Sequence, residues 1–126
     1  MAKILLAEDD QFIRDIYTEV LKSAGFDTTT AIDGQDALTK IKQGGWDGVL
    51  IDNVMPAMTG VEVLKSFKKE EIHTLAKYII LMTNTEETHE LGDITGMYDD
   101  YVLKSAITPA DLIARIKKGL GKVDTK

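Results

Sequence analysis

Side chains that suit phosphoryl chemistry stand at the ends of four apolar runs. Glu8-Asp9-Asp10 follows Ile4-Leu5-Leu6-Ala7, Asp52 follows Leu50-Ile51, Thr83 follows Tyr78-Ile79-Ile80-Leu81-Met82, and Lys104 follows Tyr101-Val102-Leu103. A lone aspartate after a strand is ordinarily a turn residue, but four such ends converging on one rim make one site. Carboxylates gathered without a counter-charge repel one another, so the cluster is costly unless a metal ion or a proton compensates it. The chain has no cysteine, and His73 and His89 are scattered, which disfavours zinc. Oxygen-only ligands suit Mg2+, which takes one or two carboxylates, keeps waters and accepts phosphate oxygens. The Lys104 ammonium and the Thr83 hydroxyl add what a phosphoryl group needs, because its transfer is catalysed mainly by positioning and charge neutralisation. Asp52 is then the nucleophile, forming an acyl phosphate.

The elements that must position these groups alternate between two periodicities. Ile4–Ala7, Trp46–Ile51, Tyr78–Met82 and Tyr101–Leu103 are short apolar runs of the kind found in strands buried on both faces. Phe26–Ala31 contains Asp27-Thr28-Thr29-Thr30, β-branched yet polar, which places that strand at an edge. Between the strands, Phe12, Ile13, Ile16, Tyr17, Val20 and Leu21 recur at helical spacing up to Gly25, with Asp9 or Asp10 as the cap and Arg14 on the polar side. Ala37, Leu38 and Ile41 form a weaker helical face after Asp33-Gly34. Val61, Val63, Leu64 and Phe67 form another from Gly60 to about Glu70, with Lys68-Lys69-Glu70-Glu71 as its solvated end. Leu91, Ile94 and Tyr98 mark a poor helix between Thr83 and Asp99, interrupted by Gly92 and Gly96. Thr108-Pro109-Ala110-Asp111 opens the last helix, and Gly121 is expected to stop it.

Five strands alternating with five helices imply a doubly wound, flavodoxin-like (βα)5 fold with a parallel five-stranded sheet. The order 2-1-3-4-5 satisfies the polar second strand and sets Glu8, Asp9 and Asp52 in one crevice at the switch point. The 126 residues, 44% of them hydrophobic, suit one domain, and the expectation is a single domain over 1–126 without an output domain. A net charge of −6 without a basic stripe argues against direct nucleic-acid binding. No targeting or membrane-spanning stretch is visible, so a cytoplasmic protein is expected.

The acidic pair, the Asp-x-x-Met-Pro-x-Met-x-Gly run of residues 52–60, the strand-end threonine and the strand-end lysine, in this order and spacing, resemble a bacterial response-regulator receiver domain over the whole chain. The resemblance implies that Glu8, Asp9, Asp52 and the backbone carbonyl of Val54 hold Mg2+. It implies that Asp52 accepts the phosphoryl group and that Thr83 and Lys104 bond its oxygens. Tyr101 matches the aromatic that turns inward on activation, so that the surface of the fourth helix, fifth strand and fifth helix changes for a downstream protein. The implied donor is a sensor histidine kinase or a histidine phosphotransfer protein, and the chain catalyses only its own phosphorylation and dephosphorylation.

Several positions depart from the family's usual pattern. Serine replaces proline after Lys104, leaving open a cis bond costing roughly 3 kcal/mol or a trans bond with a different approach of the lysine. Asn84 follows Thr83 where a small residue is usual, and Met97-Tyr98-Asp99-Asp100 leads into the fifth strand with Gly96 one position early. Val54 and Thr85 occupy positions that tune attack by water, and valine predicts a phosphoryl group that is not short-lived. Two rivals remain: a phosphorylation-independent docking module, and a small Mg2+-dependent phosphohydrolase. The second lacks an acid two residues after Asp52, where Val54 stands.

Overall fold

The computed structural model describes residues 1–83 and 96–124. Five strands, β1 (Lys3–Ala7), β2 (Asp27–Ala31), β3 (Trp46–Asp52), β4 (Ala76–Thr83) and β5 (Asp100–Leu103), pair in parallel in the order β2-β1-β3-β4-β5. This is the expected doubly wound sheet, with the polar β2 at its edge. Register carries the functional strand ends to one rim. Ala7 pairs with Ile51, so Glu8 comes alongside Asp52. Asp52 pairs with Met82, one residue before Thr83, and Thr83 pairs with Leu103, one residue before Lys104.

Alternation along each strand divides the core in two. Leu5, Val49, Ile51, Ile79 and Leu81 point to the face covered by α2 (Gly34–Lys42), α3 (Gly60–Lys65) and α4 (Lys69–Leu75). Ile4, Leu6, Leu50, Ile80, Met82 and Val102 point to the face covered by α1 (Gln11–Ser23) and α5 (Pro109–Asp124). Both faces are buried, and each fully buried Leu or Ile contributes roughly 1.5–3 kcal/mol. Among the described residues no helix is long and apolar enough to cross a membrane.

Three expectations about helices are corrected. The stretch after Gly60 is not one helix ending in a charged run. α3 stops at Ser66, whose hydroxyl bonds back to the Glu62 carbonyl, and Lys69-Glu70-Glu71 begins a second helix that buries Ile72. Phe67 at the break is itself buried, and Glu70 and Glu71 in the first turn of α4 suit the helix dipole. In α1 the six apolar residues span roughly half the circumference at 100° per residue, but the core buries only Tyr17 and Leu21, with Ile13 partly buried beside them. Phe12 and Ile16, on the opposite flank, are 75% and 42% exposed. Finally, α5 runs through Gly121 to Asp124, while its opening matches expectation, with the Thr108 hydroxyl accepting from the Asp111 N–H. The helix expected between Thr83 and Asp99, together with Asn84, Thr85 and His89, falls almost wholly outside the described residues.

Candidate functional site

β1 delivers Glu8 to the centre of the carboxyl rim, where it is buried to 1% exposure, while Asp9 beside it is exposed. Asp10 turns away to cap α1, its Oδ1 accepting from the Ile13 N–H at 3.1 Å. β3 delivers Asp52, also buried. Carboxylate oxygens of Glu8, Asp9 and Asp52 lie within 4.8 Å of one another, an all-oxygen set that fits a hard divalent cation such as Mg2+.

Lys104 reaches the same point from the end of β5. Its Nζ donates to Glu8 Oε1 at 2.5 Å and to Asp52 Oδ2 at 3.1 Å, and its side chain is 8% exposed. No peptide bond among the described residues is cis, so the Lys104-Ser105 bond is trans and the lysine enters the site nonetheless. A short 3-10 turn over Lys104–Ala106 makes the approach. The lysine thus reaches the two carboxylates without a proline after it; Asn84 lies outside the described residues. Thr83 is buried at the end of β4, and Tyr101 is half-buried against the core beneath α2–α4.

The charges of this triad are not in balance. Burial raises the Glu8 carboxyl above its ordinary range; the Lys104 hydrogen bond opposes this and the Asp52 charge reinforces it. Burial pulls the Lys104 ammonium down, but its hydrogen bonds and charge interactions with Glu8 and Asp52 outweigh that and hold it above its ordinary value. One ammonium thus serves two buried carboxylates, leaving negative charge for a cation to neutralise.

The loop after Asp52 is braced closely. The Val54 N–H lies 3.4 Å from Asp52 Oδ1, and the Val54 side chain projects into solvent, 63% exposed. Asn53 ties the loop to α3, its carbonyl accepting from Gly60 N–H at 2.9 Å and its side-chain Oδ1 from Val61 N–H at 3.0 Å. A Cβ on Gly60 would lie 2.6 Å from the Asp52 carbonyl oxygen, so glycine there is a requirement of close approach. Ala57, at the tip of the Met55-Pro56-Ala57-Met58 turn, has φ +70°, a conformation few non-glycine residues adopt.

Sequence reasoning missed two contributors. Arg14 is not merely on the polar face of α1: its Nη1 donates to the carbonyl oxygens of Glu8 and Asp9. Asp99 rebuilds the entry to β5, bonding the Ile79 backbone through both its N–H and its carboxylate, each at 2.8 Å. Because both pairings are with backbone groups, no pattern of side-chain types announces them.

Residues 4–117 match the family model of the response regulator receiver domain. The chain is similar to the DNA-binding response regulator MtrA of Mycolicibacterium paratuberculosis, with 30% identity over 122 residues, which are 97% of this chain and 52% of that protein. It thus spans about half the length of the curated relatives it matches. Among solved structures, the receiver domain of Francisella response regulator 1452 superposes with a TM-score of 0.86 at 29% identity, covering 98% of this chain and 100% of the other. Thermotoga maritima TrrA, in complex with Mg2+-BeF, gives 0.80 at 31% identity over 94% of this chain and 99% of that one.

Proposed function

This chain belongs to the response regulator receiver domain family, and from that we propose that it is a phosphoacceptor switch of a two-component phosphorelay. The observation that carries the reading is the convergence on Asp52 of two further carboxylates within 4.8 Å and an ammonium at 3.1 Å. The donor is a histidine kinase or a histidine phosphotransfer protein. An Asp52 oxygen forms a P–O bond as the phosphohistidine P–N bond breaks, and the leaving imidazole takes a proton from solvent. Glu8, Asp9, Asp52 and the Val54 carbonyl would hold Mg2+, which would supply charge neutralisation there. That TrrA takes Mg2+-BeF supports this assignment. Thr83 and Lys104 bond the phosphoryl oxygens.

A protein donor must cover the rim. Among the described residues, the large hydrophobics exposed beyond Met1 are Phe12, Ile16, Ile32 and Val54; Ile32 and Val54 closely follow β2 and β3, Phe12 stands in the first turn of α1 and Ile16 one turn later. Exposed apolar side chains on the segments that follow β1, β2 and β3 suit a protein partner better than a small charged substrate.

Output follows from Thr83 and Tyr101. Drawing Thr83 toward the phosphoryl group gives Tyr101 room to turn inward and shifts a pre-existing equilibrium. Tyr101 lines a cleft of about 550 Å3 with Leu103, Ile107 and Arg115, between β5 and α5, so its movement alters a surface that a downstream protein can bind. Val54 carries no group to orient water, and the phosphoryl group is accordingly not short-lived. The chain turns over no external substrate.

Acetyl phosphate with Mg2+ is expected to add one phosphoryl group to the purified protein by intact mass, and none to Asp52→Asn. Failure of both this donor and a phosphorylated histidine kinase to add mass would overturn the proposal.

A further inference from the structure

The turn between β1 and α1 presents Glu8 and Asp9, yet it belongs to neither element. The Glu8 and Asp9 carbonyls follow the strand ladder and precede the first helical acceptor, which is the Asp10 carbonyl bonded by the Arg14 N–H at 2.8 Å. Carbonyls in that position need a partner from elsewhere. Arg14 supplies it: its Nη1 lies 2.9 Å from the Glu8 carbonyl and 3.1 Å from the Asp9 carbonyl, so one guanidinium nitrogen clamps two consecutive peptide units. The remaining bonds of the turn act on its flanks, with Glu8 N–H donating to the Ala31 carbonyl at 3.1 Å and Asp10 N–H donating to Glu8 Oε2 at 3.2 Å.

We propose that Arg14 is a positioning residue for the cation site, fixing the peptide units of Glu8 and Asp9 so that both carboxylates converge on Asp52. This rests on the reading of the acidic cluster as a Mg2+ site. Asp9 depends on the clamp most, because it is exposed and stands outside regular structure, whereas Glu8 is also held by Lys104. Arg14 also carries a positive charge, which by itself repels a divalent cation. Positioning and Coulomb effects therefore predict opposite signs for its removal. Screening separates them further, since a charge effect across this partly exposed rim weakens at high salt and a hydrogen-bonded clamp does not.

The test is Mg2+ affinity by titration calorimetry for wild type, Arg14→Lys and Arg14→Met, at low salt and in about 0.5 M KCl. Positioning predicts that Arg14→Met binds Mg2+ about tenfold more weakly, as losses behind a metal ligand do. The deficit persists at high salt, and Arg14→Lys, which keeps a donor and the charge, recovers part of it. Equal or tighter binding by Arg14→Met overturns the proposal, as does a deficit that vanishes with salt. Amide hydrogen exchange at Asp10 in metal-free protein is the second readout. It is expected to speed up in Arg14→Met while the core strands keep their protection. Unchanged exchange overturns the clamp. If wild type itself shows no saturable Mg2+ binding, the cation reading fails, and the exchange result still decides whether Arg14 orders the turn.

Discussion

Lys104 Nζ stands 3.1 Å from Asp52 Oδ2 while also donating to Glu8 Oε1, and all three side chains are at most 8% exposed. Replacing Lys104 by methionine leaves two buried carboxylates with no cation between them. Breaking a buried pair in this way costs about 3–5 kcal/mol. Urea denaturation of the metal-free protein at neutral pH is expected to show that loss. Added Mg2+ is expected to restore much of it by taking over the neutralisation. A variant as stable as wild type without Mg2+ would mean that solvent already screens the site.

Asp9 is the contrasting case. It is exposed, and its carboxylate is not part of the Lys104 pairing. Asp9→Asn is expected to leave metal-free stability within about 0.5 kcal/mol of wild type. Wild type should gain about 2.7 kcal/mol at Mg2+ one hundred times its dissociation constant, and the variant most of that only at far higher concentrations. Thermal melts over a Mg2+ series measure both quantities. Equal Mg2+ shifts in the two proteins would remove Asp9 from the ligand set.

Glu8 gives the site a pH dependence whose sign follows from its raised carboxyl. Burial is the main cause, and the ordinary value is 4.5. A group raised on folding contributes stability that is full below its unfolded value and is lost as pH climbs through its folded value. Glu8→Gln stays neutral throughout. Without Mg2+ it is therefore expected to be more stable than wild type at neutral pH, with the advantage shrinking on acidification and gone below about pH 4.5. Denaturant midpoints across that range decide it, and an advantage that grew toward acid would contradict the assignment.

Strand ends were legible because parallel strands buried on both faces are continuous apolar runs that stop abruptly, here at Glu8, Asp52, Thr83 and Lys104. The register that unites them follows once the sheet order is known. Helix limits were less legible, since the same residue type acts differently by conformation. Gly25 adopts φ +93° and ends α1, whereas α5 continues through Gly121, where glycine costs only about 1 kcal/mol. The break between α3 and α4 falls at Ser66-Phe67-Lys68 and contains neither glycine nor proline to mark it. In α1, spacing identified an apolar stripe but not how much of it the sheet would cover.

The uncovered part of that stripe separates docking from chemistry. Phe12 is 75% exposed, and Ile16, one turn later on the same flank, is 42% exposed, so replacing both with serine removes little that stabilises the fold. Stability is expected to change by less than about 1 kcal/mol. Phosphorylation of Asp52 by acetyl phosphate is expected to be unchanged, because neither residue belongs to the Glu8, Asp9, Asp52 and Lys104 constellation. Transfer from a phosphorylated histidine protein should slow by about tenfold or more, the effect of losing one or two apolar anchors worth roughly 1–2 kcal/mol each at an interface. Comparing the two donors on one variant makes the reading falsifiable. Equal slowing with both would place Phe12 and Ile16 in the chemistry, and slowing with neither would move the donor's footprint elsewhere on the rim.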